Sequence, residues 1–244
     1  MSYSIPPNPD KNVTALILTG GLGTRLQSAL PDQPKVLAPV AGRPFLSYLM
    51  DQLISSGFGH VILCTGYREE QIREAFGDNY NGLGIQYSRE PESLGTGGAL
   101  CYGLPLIVTD SALVTNGDSY VDFNLKDFLA WHFENELQVS LVLAYVSDTS
   151  RYGRVEVKED GRIVKFDEKG TSHGPGWVNA GVYIFNRSLI ESIPSGQPLS
   201  LERKFFPSLI NRNLYGFRSE AAFIDIGTTE SYSLADDFFS KVTL

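Results

Sequence analysis

Cysteine is scarce in this chain. Cys64 and Cys101 are the only two among 244 residues, and both lie in apolar strand or helix contexts. Two thiols cannot make a disulfide framework and read as reduced core residues. Long hydrophobic runs are missing as well, and none approaches the roughly 20 residues that a membrane span needs. The first dozen residues are polar and contain proline, without a charged-then-apolar signal pattern, so a cytoplasmic protein is expected. Positive charge is in deficit: the formal net charge is -8, which argues against nonspecific binding to nucleic acid or to acidic membranes. It leaves room for phosphate ligands, because local amides, Arg, Lys or a bound divalent cation outweigh the global sign. None of the three histidines, His60, His132 and His173, stands at metal-ligand spacing. Ser, Cys and His form no nucleophile arrangement. No internal repeat or low-complexity linker divides the chain, and 42% apolar residues supply a sizeable core, so residues 1–244 read as one domain.

Against these absences stands the stretch Ala15–Leu26, ALILTGGLGTRL. An apolar run to Leu18 reads as a buried parallel strand. It breaks into Gly20, Gly21 and Gly23, where missing Cβ atoms let the backbone curl and present its N–H groups to an anion. Arg25 closes that turn, and Lys35 follows a loop punctuated by Pro31 and Pro34. Two cations and a nest of amides after the first strand point to a triphosphate site. A dinucleotide-binding turn wants G-x-G-x-x-G with a later acidic residue, but Leu26 stands where the third glycine belongs. A P-loop wants Gly-Lys-Ser/Thr, which Gly23-Thr24-Arg25 does not supply. The bland alternative is an ordinary glycine-rich strand–helix turn.

Periodicity predicts a helix over Pro44–Ser56, a strand over His60–Thr65, a helix over Arg68–Phe76 and a strand over Ile85–Tyr87. It continues with helices at Gly97–Leu104 and Leu125–Leu137 and strands at Ala112–Thr115 and Val139–Val146. This strand–helix alternation over residues 13–146 implies a mainly parallel sheet with right-handed crossovers. The pattern then changes. Val155–Val157 and Ile163–Phe166 flank Glu159-Asp160-Gly161, a hairpin signal. A strand is predicted at Val178–Phe185, a helix at Leu201–Asn211, a strand at Ala221–Ile226 and a closing helix at Thr229–Phe239. The expected fold is therefore α/β: a Rossmann-like, mixed but mainly parallel sheet flanked by helices, with antiparallel additions in the C-terminal half.

Open parallel sheets bind ligands outside the carboxyl ends of their strands. The glycine loop, Leu94–Gly98 and Asn116-Gly117-Asp118 all fall at such ends. Asp118 follows an apolar strand, and Asp225 in Phe223–Gly227 has the same character. Alone, Asp118 reads as a turn or cap aspartate. Paired with Asp225 downstream of a phosphate loop, it reads as half of a Mg²⁺ site, since Mg²⁺ takes one or two carboxylates plus phosphate oxygens. Tyr152-Gly153, Glu168-Lys169 and Asn179 are further polar candidates. Singly, each reads equally well as a turn, a solvated ion pair or a strand-end amide.

The segments GGLGTRL, PKVLAPVAGRPFL, LGTGGAL, NGD, RYGRVEV, FDEKG, NAGVYIF and FIDIG occur in this order. Together they resemble the sugar-1-phosphate nucleotidyltransferases over residues 14–236. Within that superfamily, LGTGGAL, RYGRVEV and FIDIGTTESY are most similar to the D-glycero-D-manno-heptose 1-phosphate guanylyltransferases, which make GDP-heptose for bacterial surface polysaccharides. Mannose-, glucose- and N-acetylmuramate-phosphate relatives share the skeleton. The resemblance implies that Gly20, Gly21, Gly23, Thr24 and Arg25 hold the triphosphate, and that Lys35 reaches the reacting phosphates. It implies that Glu90, Gly95 and Thr96 lie near the base and ribose, and that Asp118 and Asp225 hold Mg²⁺. Gly153, Glu168, Lys169 and Asn179 would line the sugar-phosphate pocket. Residues 13–146 would then be the nucleotide-binding part and 147–244 the sugar-phosphate part. The implied partners are a nucleoside triphosphate, GTP by subfamily, and a sugar 1-phosphate, with no nucleic acid or membrane; a homo-oligomer stays open. The implied catalytic residues are Arg25, Lys35 and Asp118. A different class of protein, an inactive nucleotide-sugar sensor on the same fold, could lose one of these or Asp225; all four are present.

Overall fold

Strand β1 (Val13–Leu18) is buried on both faces, which explains its unbroken apolar run. Val13, Ala15 and Ile17 enter one core with Phe45, Leu49 and Phe128, while Leu16 enters a second with Leu100, Tyr183 and Phe206. These two cores are the layers of helix that sandwich the sheet. The fold is described in a computed structural model over residues 9–21, 26, 33–167, 169–210 and 212–242.

Helix α1 (Phe45–Ser55) buries Phe45, Leu46, Leu49, Met50 and Leu53 as one stripe and gives way to Gly57 at φ 94°. Strand β2 (His60–Thr65) and helix α2 (Glu69–Phe76) follow, then the short edge strand β3 (Asn79–Tyr80) and β4 (Leu83–Arg89). Helix α3 (Gly95–Gly103) leads to β5 (Ser111–Asn116) and the small strand β6 (Ser119–Val121). Helix α4 (Leu125–Glu134), β7 (Val139–Val146), the hairpin β8 (Val155–Val157) and β9 (Ile163–Phe166), and the long β10 (Gly176–Asn186) come next. The chain closes through β11 (Leu214–Ser219) and β12 (Phe223–Asp225).

Eight strands form the main sheet in the order β11-β7-β10-β5-β1-β2-β4-β3. β1 runs parallel to β2 and β5, and β4 to β2; β10 runs antiparallel to both β5 and β7. The expected mixed, mainly parallel sheet is therefore present. β1 leads to β2 and β4 on one side before the chain returns to β5 on the other. The ends of β1 and β5 thus frame a topological switch point, where open α/β sheets hold ligands.

Four local expectations change. Leu201–Asn211 is a wider turn over Leu201–Phe205 followed by a helical turn at Phe206–Leu209, because Pro207 has no amide hydrogen to continue a regular helix. The closing helix is two short ones, Thr229–Tyr232 and Ala235–Phe239. The strand expected over Ala221–Ile226 shortens to β12 and pairs with β6 outside the main sheet. Edge strand β11, parallel to β7, was not legible, since Leu-Tyr-Gly-Phe-Arg-Ser does not alternate cleanly and carries a glycine.

The cysteines are free, and burial pushes the Cys64 thiol up to about 12, which makes it inert at neutral pH. His132 is fully buried against Ser140, with Nδ1 2.7 Å from the hydroxyl. Burial lowers its pKa to about 4, below the 6.5 of a free histidine. The unfolded chain therefore takes up a proton first, so stability is intact above about pH 6.5 and falls as pH drops toward 4, by about 3 kcal/mol. Thermal melts should show this decline flattened in His132→Gln. An unchanged pH slope in that variant would rule out the assignment.

Candidate active site

The switch point is built by backbone first. Gly117 N–H donates to Leu18 O at 2.9 Å, so β1 and β5 stay in step beyond their regular ends. A Cβ at Gly117 would lie 2.7 Å from that same carbonyl and 2.9 Å from Val36, which is why only glycine precedes Asp118. Lys35 opens a short helical turn after Pro34, and Val36 and Leu37 anchor that turn in the core. This delivers Lys35 Nζ to Asp118 Oδ2 at 2.7 Å, with the lysine side chain 11% exposed and the aspartate 44%.

Asp225 reaches the same place from β12, whose register pairs Asp225 with Ser119; Ile226 N–H donates to Asp118 O at 2.9 Å. Asp225 Oδ1 accepts the Gly227 amide at 2.6 Å. A Cβ built on Gly227 would lie 2.5 Å from Asp225 Oδ1 and 3.5 Å from Lys35 Nζ, which brings the ammonium up to the Asp225–Gly227 turn while its ion pair is with Asp118. Beyond Asp225 stand Arg151 and Tyr152. Burial, followed by the Asp225 charge, drives the Tyr152 phenol well above its usual range. The pair supplies hard carboxylate oxygens against cations at a solvent-facing mouth, a donor set that suits Mg²⁺ completed by water and phosphate. Among the described residues no group of three or more His, Cys, Asp and Glu converges, so most of the coordination sphere would be left to water or to a ligand's oxygens.

On the other side of β1, Gly20 faces the buried residue Glu90. The Glu90 backbone N–H donates to Thr65 O at 3.0 Å, which continues the β2–β4 pairing past the strands. Its side chain turns inward, 5% of the residue exposed, and Oε2 accepts the Leu94 amide at 3.3 Å. A Cβ on Gly20 would sit 2.9 Å from Oε1. Gly20, Gly66, Tyr67, Arg68, Arg89 and Glu90 line a cleft of about 400 Å³. Burial raises the Glu90 pKa, partly opposed by the Leu94 amide. Gly21 is exposed beside this cleft, whereas Gly23, Thr24 and Arg25 lie outside the described residues.

Gly95 enters α3 at φ 73° and faces the Leu199 carbonyl. The Thr96 hydroxyl donates to Glu202 Oε2 at 2.9 Å and accepts the Leu201 amide at 2.8 Å, so its side chain ties α3 to the segment from 199 onward. Asn179 belongs to the same buried network. Its Nδ2 donates to the Tyr183 hydroxyl at 3.0 Å, its Oδ1 accepts the Gly181 amide at 2.9 Å, and the Tyr183 hydroxyl donates to Glu202 Oε1 at 3.3 Å. The β10–β7 register shifts between Asn179 and Tyr183, which frees this stretch from the ladder. Glu202 and Tyr183 were missed in sequence, because a glutamate in an amphipathic turn and a tyrosine in an apolar strand carry no signal of a shared partner.

Gly153 sits at φ 82° in a turn closed by its own amide and that of Tyr152 on Thr149 O, both at 3.0 Å. Asp167 N–H donates to Arg154 O and Gly170 N–H to Ser150 O, each at 2.8 Å, which brings exposed Lys169 alongside that turn. Glu168 lies outside the described residues. The structure therefore gathers Gly20 and Glu90 on one side of the switch point and Lys35, Asp118 and Asp225 across it. Gly153 and Lys169 form a separate flanking pair, and Asn179 sits in the network behind.

Fold and crevice together define a Rossmann-like α/β protein of the nucleotidyltransferase kind. The chain belongs to the nucleotidyl transferase family, whose pattern matches residues 14–241. It is 38% identical over 222 residues to the D-glycero-alpha-D-manno-heptose 1-phosphate guanylyltransferase of Aneurinibacillus thermoaerophilus, covering 91% of this chain and 96% of that one. It is 37% identical over 224 residues to the mannose-1-phosphate guanylyltransferase of Mycobacterium tuberculosis, covering 90% of this chain and 62% of that longer protein. Among solved structures, HddC from Yersinia pseudotuberculosis complexed with GMP-PN matches with a TM-score of 0.83 at 33% identity, over 93% of this chain and 99% of that one. No helix among the described residues is long and apolar enough to cross a membrane.

Proposed function

We propose that the chain transfers GMP from GTP to D-glycero-D-manno-heptose 1-phosphate, giving GDP-heptose and pyrophosphate. The observation that carries the reading is the gathering of Lys35, Asp118 and Asp225 at the switch point, across β1 from Gly20. In this reading residues 13–146 seat the donor and 147–244 the acceptor, in the cytoplasm where both soluble substrates are found. A phosphate oxygen of the acceptor attacks the α-phosphorus in line. The new P–O bond forms as the bond to the bridging oxygen breaks, and pyrophosphate leaves with that electron pair. No protein nucleophile is needed, because the acceptor is already an anion at neutral pH. The difficulty is electrostatic, and phosphoryl transfer answers it by positioning and charge stabilisation. Lys35 is the described cation best placed for the reacting phosphates, with Arg25 and the loop amides of Gly20, Gly21, Gly23 and Thr24 on the triphosphate. Mg²⁺, held by Asp118 and Asp225, would neutralise phosphate charge when bound. Gly153, Glu168, Lys169 and Asn179 take the sugar phosphate, and Gly95 and Thr96 shape the nucleotide side.

Glu90 supports GTP as the donor. Guanine presents N1–H and N2–H as adjacent donors, and one carboxylate accepts both. Uracil and thymine present a single N3–H between two carbonyl oxygens, which a carboxylate repels. Glu90→Gln should therefore lower kcat/KM for GTP by about 10–100-fold, the cost of a charge-assisted pair, and narrow the gap to UTP. An unchanged preference in a folded variant would remove Glu90 from base selection. The M. tuberculosis relative makes mannose 1-phosphate the competing acceptor. Pyrophosphate release on mixing GTP, Mg²⁺ and sugar phosphate separates a transferase from an inactive sensor.

A further inference from the structure

Arg151 has no role in the reading above, yet it stands at the junction of its two halves. It lies in the turn closed on Thr149, one residue before Tyr152 and two before Gly153. Its Nη2 is 3.5 Å from Asp225 Oδ2 and 3.4 Å from Thr228 Oγ1, both at the long limit of a hydrogen bond. The guanidinium carbon lies 5.3 Å from the centre of the Tyr152 ring, and the side chain is 35% exposed. Nε and Nη1 make no hydrogen bond among the described residues. A planar fork with most of its donors unspent on the described residues is thus held loosely against one carboxylate.

The arrangement across the cleft is paired. Lys35 covers Asp118 at 2.7 Å, and Arg151 covers Asp225 at 3.5 Å, so two cations balance two carboxylates. Asp225 Oδ1 is fixed by the Gly227 amide, which leaves Oδ2 as the oxygen that Arg151 and a metal ion would both seek. We propose that Arg151 is a second phosphate-binding cation: it shields Asp225 in the free protein and is released to the acceptor's phosphate when a divalent metal takes that carboxylate. The guanidinium fork matches phosphate oxygens bidentately, and the turn that carries it is hydrogen-bonded to the Lys169 segment on the acceptor side. The inference rests on the transferase reading for the identity of that phosphate, but not for the competition at Asp225.

Competition makes an unusual demand: removing a cation must tighten metal binding and weaken acceptor use. Mn²⁺ alone is titrated into the substrate-free protein, with free Mn²⁺ followed by electron paramagnetic resonance. Arg151→Gln should bind it about threefold to tenfold more tightly than wild type. In steady state the same variant should raise KM for the sugar 1-phosphate about tenfold or more and leave KM for GTP within about twofold. Arg151→Lys keeps the charge and loses the fork, so it should return Mn²⁺ affinity toward wild type while acceptor KM stays raised; it also serves if Arg151→Gln does not fold. Unchanged or weaker Mn²⁺ binding in a folded Arg151→Gln, or an acceptor KM that does not move, overturns the proposal. Wild-type protein that releases no pyrophosphate overturns the transferase reading instead, and the Mn²⁺ titration then still decides whether Arg151 guards Asp225.

Discussion

Lys35→Ala should lower turnover by about 10²-fold or more while the fold survives. The turn that carries Lys35 is anchored by Val36 and Leu37, both buried, so truncating the neighbouring side chain leaves the anchor in place. What disappears is the ammonium that sits 2.7 Å from Asp118 and close to the Asp225–Gly227 turn, at the mouth of the switch point. A preorganised donor of this kind is typically worth about 10²–10³ in rate, because it needs no rearrangement as charge develops on the leaving group. Lys35→Arg should fall between the two, since the guanidinium keeps the charge but is bulkier than the 11%-exposed niche that holds the ammonium. Steady-state pyrophosphate release, with a thermal melt to confirm folding, measures both. Wild-type turnover in folded Lys35→Ala would remove Lys35 from the reaction.

Chelation should abolish activity, and added Mg²⁺ should restore it. Asp118, in the turn that enters β6, and Asp225, on the adjoining β12, are each balanced by one cation, so neither carboxylate is satisfied by the backbone alone. Asp118→Asn or Asp225→Asn keeps the shape and removes one negative charge, which should raise the Mg²⁺ concentration needed for half-maximal rate by about tenfold or more. Titrating Mg²⁺ against rate in the wild type and both variants reads this shift. Full activity in excess chelator would contradict the assignment of the pair to a metal.

Much of this was legible in the residues. The apolar run to Leu18 could only be a strand buried on both sides, and Asn116-Gly117-Asp118 marked the end of another. Asp118 and Asp225 were paired by their matching settings, and the β6–β12 ladder explains why they are neighbours although more than a hundred residues separate them. Contacts that no periodicity encodes stayed hidden. Tyr183 reads as an apolar strand residue, yet its hydroxyl collects Asn116, Asn179 and Glu202. Thr96, read as near the nucleotide, spends its hydroxyl on Glu202 and Leu201. β11 hides because Gly216 packs its backbone against Leu143, so the strand is held by its neighbour and not by its own apolar alternation. Arg151 is hidden in the sequence because an arginine in a turn is ordinarily solvated; only its place beside Asp225 marks it out.

The most direct measurement is a matrix of kcat/KM values by pyrophosphate release, with GTP, UTP and dTTP against D-glycero-D-manno-heptose 1-phosphate and mannose 1-phosphate. The account predicts the highest value for GTP with the heptose. If a hydroxyl on the extra carbon is hydrogen-bonded by the pocket, mannose 1-phosphate should fall by about 10⁴ or more; a pocket that is merely roomy would accept both sugars. A clear preference for mannose 1-phosphate, or for UTP or dTTP over GTP, would contradict the assignment of substrates, and no pyrophosphate from any pair would contradict catalysis itself.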